Sequence, residues 1–285
     1  MDASTPELSG PRPLPVPTTF AGVAGLAGRP AWCLFSGQLI TALAAAVVAA
    51  WSLDVTWGRA LEHAAESLPD RAGIRAGRLH WPGTEPVVLH ENAFLSVIVD
   101  PGARRDSGHS GDVALQLEDR QLALSSLFGW LEIPYPPDLE IQLGRFEALG
   151  ALAAWKGPVL LGFGCAVAVG LLLAWWALSA TYAMALAFMA FVFRRSLDLV
   201  GAWRLAGAAL IPGAILMTAA IALYATHHLG MVGLLIAVPL HIAVGWIFCI
   251  GALRHAAPPR DANPFGSPAP GVSERRQPAN PFEIP

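Results

Sequence analysis

The amino-acid sequence predicts a mainly α-helical membrane protein: a four-helix transmembrane bundle with a small α+β extracytoplasmic domain inserted between spans 1 and 2. Three observations carry this expectation. Of the 285 residues, 54% are apolar and only 14% charged, against roughly 25% charged in soluble globular chains. Residues 157–193 and 205–253 contain no Asp, Glu, Lys or Arg, and about 20 apolar residues suffice for a helix to cross a hydrocarbon core of roughly 30 Å. Between 54 and 156 the character reverses, with charges every few positions, which suits a segment folded in water.

Residues 1–30 include Pro11-Arg12-Pro13-Leu14-Pro15-Val16-Pro17. Proline removes backbone donors and favours extended polyproline II, so a disordered cytoplasmic tail is expected. Span 1 covers 31–53, flanked by Arg29 and ended by Asp54. Its apolar segment exceeds the 7–15 residues of a signal-peptide core, which favours an uncleaved anchor.

Within 54–156, Trp57, Leu61, Ala64 and Leu68 recur at helical spacing, predicting an amphipathic helix over 55–68 closed by Pro69. Residues 94–99 are rich in β-branched side chains and read as a strand. Residues 113–117 and 121–124 flank Glu118-Asp119-Arg120 as a hairpin. Leu139, Leu143, Phe146 and Leu149 mark a helix leading into span 2.

Span 2 is expected at 157–193 as one long helix, because a hairpin there would carry Arg194, Arg195 and Arg204 across the membrane. Basic residues close to span ends prefer the cytoplasm, and Ser179-Ala180-Thr181-Tyr182 is a poor turn. An interfacial segment follows at 194–204, where Arg194 and Asp198 form an i,i+4 pair. Spans 3 and 4 lie at 205–226, with Pro212, and 231–253, with Pro239. The Pro-rich residues 256–285 form a second disordered cytoplasmic tail.

The chemistry-bearing residues are few. His241 is the one ionisable side chain near the middle of a span, and burying such a group is expensive unless it is bonded or used. Close to Pro239, a neutral histidine hydrogen-bonded between helices is the favoured reading. Gln38, Thr41 and Thr218 are expected to bond between helices, and the absence of Asp or Glu from the spans argues against an ion-coupled pump. Gly162, Ala166 and Gly170 are spaced four apart, as are Gly164 and Ala168, so this side of span 2 should pack closely on another helix, within the chain or in a homo-oligomer.

His80, His90, Glu91 and His109 match no metal-ligand spacing. Gly108-His109-Ser110-Gly111-Asp112 departs from the G-x-S-x-G elbow at its fifth position. Cys33, Cys165 and Cys249 all fall in spans, which leaves no disulfide framework outside them. Neither a cofactor nor a nucleic-acid partner is expected. The tail repeats Ala262-Asn263-Pro264-Phe265 as Ala279-Asn280-Pro281-Phe282, a pattern compatible with a docking tail.

The order of parts, with Ile74-Arg75-Ala76-Gly77-Arg78-Leu79, Ile98-Val99-Asp100 and Leu117-Glu118-Asp119-Arg120-Gln121-Leu122, resembles an uncharacterised family of bacterial polytopic membrane proteins over residues 31–253. That resemblance implies an architecture and a bacterial inner-membrane address, with no activity attached. The expected function is therefore non-enzymatic: an exterior domain that binds or senses a ligand or protein partner, coupled to the bundle. The alternative is a transporter or permease-like component built on Pro212, Pro239 and His241.

Overall fold

The computed structural model describes residues 16–103 and 110–256. Four helical stretches among them are long and apolar enough to cross a membrane: Ala31–Glu66, Arg145–Val192, Leu199–Ala225 and Met231–Leu253.

The first helix, α1 (Phe20–Gly28), corrects the expectation of a tail over 1–30. Thr19 caps it, its hydroxyl accepting from the Gly22 N–H at 3.0 Å. Val23 and Leu26 are buried in the bundle core, and Phe20 lies 5.0 Å from the ring of Phe248. Gly22, Gly25 and Gly28 weaken its intrinsic helix propensity, so burial against its neighbours forms it and the local sequence does not announce it. Residues 1–15 and the repeated Asn-Pro-Phe segments lie outside the described residues.

Helix α2 (Ala31–Leu53) does not end at Asp54. It continues through a π-helical turn, Asp54–Gly58, into α3 (Arg59–Glu66) as one rod. Trp57, Leu61 and Ala64 of this extension pack into the core of the inserted domain.

The domain contains β1 (Gly73–Arg75), β2 (Arg78–His80), β3 (Val87–Glu91), β4 (Leu95–Asp100), β5 (Val113–Glu118), β6 (Gln121–Ser126), β7 (Gly129–Pro134) and β8 (Ile141–Gln142). They form a three-stranded sheet, β2-β1-β8, and a five-stranded sheet in chain order from β3 to β7. Ala76 and Gly77 both adopt left-handed backbone (φ 49° and 69°) and turn β1 tightly into β2. Asp119 and Arg120 join β5 to β6 as a short antiparallel hairpin. Strands β4 and β5 pair in parallel, from Leu95↔Val113 to Asp100↔Glu118, so the chain must cross over between them. One sheet face, Leu95, Val97 and Val99, packs on Ala60 and Ala64 of α3.

Helix α4 (Arg145–Val192) has 48 residues and is about 72 Å long at 1.5 Å per residue. It is unbroken at Ser179–Tyr182. It starts later than Leu139 suggested, because Leu139 and Leu143 are drawn into the domain core and β8 intervenes. Of the interfacial segment expected at 194–204, residues 199–204 belong instead to the next helix. Arg194 turns the chain with φ 51°, and Asp198 caps α5 (Leu199–Ala225) by accepting from the Gly201 N–H at 2.9 Å. The carboxylate thus serves the helix start and not an i,i+4 pair. Helix α6 (Met231–Leu253) completes the bundle.

Helix α5 sits at the centre and touches α1, α2, α4 and α6. Its apolar stretch is 61% buried, against 11% for α4 and 17% for α6. The outer helices instead present Ile40, Val47, Val169, Leu173, Val232 and Ile236 outwards, an apolar girdle too continuous for a surface bathed in water. The domain occupies one end of the bundle. Arg29, Arg194, Arg195 and Arg254 lie at the other, as the directions of the helices require.

Candidate functional site

The rim of the five-stranded sheet nearest the bundle is fixed at several points. Asn92 donates from Nδ2 to the Thr56 carbonyl in the π turn at 3.2 Å, while its Oδ1 accepts from the Phe94 and Leu95 N–H groups at 2.8 Å each. Tyr224, at the end of α5, donates its hydroxyl to Asp112 Oδ2 at 2.8 Å. The Phe94 ring rests between Tyr224, at 4.9 Å, and His227, at 4.4 Å. Lys156, the only lysine in the chain, bridges the rod and α4, with Nζ 2.6 Å from Asp54 and 2.9 Å from Glu62. One ammonium between two carboxylates holds α3 against α4 where both emerge from the bundle. Tyr224, Asp112 and Asn92 gave no local signal in the sequence. Lys156 was visible as the lone lysine, without a hint of its partners.

Above this junction the domain contains a polar hollow of about 400 Å³, lined by Arg71, Arg75, His80, Asp70, Gln142 and Glu147. It lies at the meeting of the small sheet with the first turn of α4. Two guanidinium groups and an imidazole beside two carboxylates suit a small polar ligand with an anionic group, because planar Arg donors match carboxylate and phosphate oxygens. A ligand held there would touch α4 directly through Glu147.

Between α3 and β3, His63 and His90 face each other with ring centroids 5.1 Å apart, and His63 Nδ1 lies 3.3 Å from Glu66. Burial, and then the neighbouring His63, hold the His90 imidazole below its ordinary value of 6.5. The folded state therefore binds this proton less readily than the unfolded chain. The stability it contributes is complete above pH 6.5 and is lost as pH falls through the lowered folded-state value. Protection of the β3 amides from hydrogen exchange, after correction for the intrinsic pH dependence of exchange, is expected to fall between pH 7.5 and 5, and His90→Gln to flatten that fall. An identical pH profile in the variant would refute the assignment.

The bundle places the residues singled out in its spans as follows. His241 lines a cavity of about 460 Å³ with Trp175, Tyr182, Thr218, Ala166 and Gly170 among its other walls. Its Nδ1 is buried with no hydrogen-bond partner among the described residues, so the expected interhelical bond is not made. Pro239 is exposed on α6, two residues earlier, and Pro212 is buried in α5. Beside Pro212, Gly213 lets α6 approach so closely that a Cβ there would lie 2.5 Å from the His241 carbonyl oxygen. Gln38 does bond between helices, from Nε2 to the Gly207 carbonyl at 3.3 Å. Thr41 and Thr218 instead bond back to Gly37 and Ala214 of their own helices, at 2.8 Å each. A hydroxyl one turn from a carbonyl finds that acceptor first.

The small-residue faces of α4 also divide. Ala168 is buried, and Gly164 lies over α2, where an added Cβ would sit 3.8 Å from the Ala46 carbonyl oxygen. Gly162, Ala166 and Gly170 are exposed, and a Cβ on Gly162 or Gly170 would meet nothing within 4 Å. Within this chain α2 packs on the Gly164–Ala168 pair, and the other three find no helix partner. Among the described residues no three His, Cys, Asp or Glu side chains gather as metal ligands, and His109 lies outside them. No family model, curated protein or solved structure matches the chain.

Proposed function

We propose that the protein is a multi-pass membrane receptor-like component without enzymatic activity. Its domain lies outside a bacterial inner membrane and binds a small polar ligand or a protein partner. Binding is then relayed into the helical bundle. The carrying observation is the rigid attachment of the domain: two helices enter it without a flexible linker, and Tyr224 adds a third connection by holding Asp112. The polar hollow supports a ligand site in contact with α4. Arginines at the far end of the bundle support cytoplasmic termini, since positive charge near span ends favours that side.

Native mass spectrometry of the full chain in nanodiscs, incubated with a small-molecule extract of the cell envelope, tests this reading. A species should be retained by the parent and lost from Arg75→Ala and His80→Ala. Tyr224→Phe should retain the species but no longer pass its protection from hydrogen exchange from the domain to α5. Retention of nothing, or equal retention by the hollow variants, would overturn the proposal.

A second reading, transport through the bundle, is favoured by His241, which lines the cavity and has a buried, unpartnered Nδ1. An ionisable group within a span can mark a substrate pathway. Equal flux into proteoliposomes by the parent and His241→Ala would remove His241 from any such path.

A further inference from the structure

Strand register carries an apolar loop to the level at which the helices leave the bundle. The bundle-facing rim of the large sheet is defined at β3–β4 by Asn92 bonded to Thr56, and at β4–β5 by Phe94 and Asp112 on Tyr224. Along the π turn and α3, Thr56 meets Asn92 and His63 meets His90, so the strands run alongside the rod that emerges from α2. Pairing then extends the rim sideways: Val113 pairs with Ser126, and Ser126 with Gly129. The β6–β7 turn, Leu127-Phe128, therefore points towards the bundle end of the molecule, between the first and second strands beyond β5. At about 4.8 Å per strand it stands about 5–10 Å to the side of the Asp112–Tyr224 contact.

The chemistry of this tip suits neither water nor the helix ends. Leu127 is 66% exposed and Phe128 73%, and Trp130, Leu131 and Ile133 of the edge strand behind them are exposed too. No charged residue occurs from 121 to 131. The turn is ordered, with the Phe128 N–H donating to Ser126 Oγ at 3.2 Å. An exposed apolar edge strand is an aggregation hazard in solution unless something covers it. Their exposure shows that no described element covers these side chains, and with the bundle read as membrane-spanning they stand at the level of the bilayer surface.

We infer that the β6–β7 hairpin tip inserts Leu127 and Phe128 into the headgroup layer of the outer leaflet, with Trp130 at the interface. Aromatic side chains favour that region, and apolar groups on surface-bound elements sink about 5–10 Å into it. The lipid surface thereby becomes a further support for the domain, on the side away from α3. The inference rests on the membrane-spanning reading of the bundle and is independent of what the domain binds.

The test uses the full chain in phosphatidylcholine–phosphatidylglycerol nanodiscs, with Cys33, Cys165 and Cys249 replaced by alanine. An environment-sensitive fluorophore is attached to Phe128→Cys, Asp119→Cys or Val169→Cys in turn. Asp119 lies at the opposite end of the same sheet, and Val169 is exposed in mid-α4. At 128, spin-labelled lipid should quench strongly and aqueous iodide weakly, with the reverse at 119. A label at 128 that behaves like the one at 119 would overturn the inference. So would disulfide-linked dimers of unlabelled Phe128→Cys together with no lipid quenching of the labelled form, which would assign the tip to a second copy. Failure of lipid to quench at 169 would remove the bilayer reading itself, an outcome distinct from failure at 128 alone.

Discussion

Gly213→Val is expected to break the pairing of α5 with α6 and to destabilise the bundle by about 3 kcal/mol, the upper part of the range for overpacking. The cause is backbone on backbone. A Cβ at 213 would lie 2.5 Å from the His241 carbonyl oxygen and 3.4 Å from its carbon, neither of which can rotate aside. Pro212 precedes it and limits how far α5 can adjust. Thermal unfolding in detergent, followed by size-exclusion chromatography, measures the loss. Gly162→Ala is the control, since the space around it is open and alanine is the better helix former. That control should melt at or above the parent temperature. Equal melting of Gly213→Val and the parent would show that the two helices do not approach as described.

Lys156→Met is the second large effect. It leaves Asp54 and Glu62 facing one another without their shared cation. These side chains are 27–39% exposed, so solvent screens part of the cost and about 1–2 kcal/mol is expected. The loss should be local, with faster hydrogen exchange in α3 and the first turns of α4 while α5 is unchanged. Adding Asp54→Asn and Glu62→Gln should recover part of it, because the remaining repulsion is between carboxylates. Unchanged exchange in α3 would show that the apolar contacts beside the ion pairs already hold the junction.

The sequence disclosed what depends on composition and short-range periodicity. The uncharged runs marked the long apolar helices, the spacing of Trp57, Leu61 and Ala64 marked the face that enters the domain core, and Asp119-Arg120 marked a hairpin. It did not disclose contacts made across the fold. The parallel pairing of β4 with β5 depends on a crossover that leaves no periodic signature. Helix α1 depends on burial against α5 and α6. The two four-residue stripes on α4 are chemically alike, so only the position of α2 distinguishes Gly164–Ala168 from Gly162–Ala166–Gly170. His241 was legible because an ionisable group in an apolar run is conspicuous. The Tyr224–Asp112 bond was not, because its partners are 112 residues apart and each is ordinary where it stands.

The π turn at Asp54–Gly58 has a consequence for the direction in which the domain faces. An α-helix advances about 100° per residue, and a π turn accommodates one additional residue within a continuing helix. The five residues therefore set the angular phase between the Leu34–Gln38–Ala42 face of α2, fixed in the bundle, and the Ala60–Ala64 face of α3, fixed under the sheet. Without the additional residue, α3 would present a different azimuth and the sheet would swing around the axis of the α2–α3 rod, carrying Asp112 away from Tyr224. The turn works as a vernier: a single residue decides which flank of the bundle the domain overlooks.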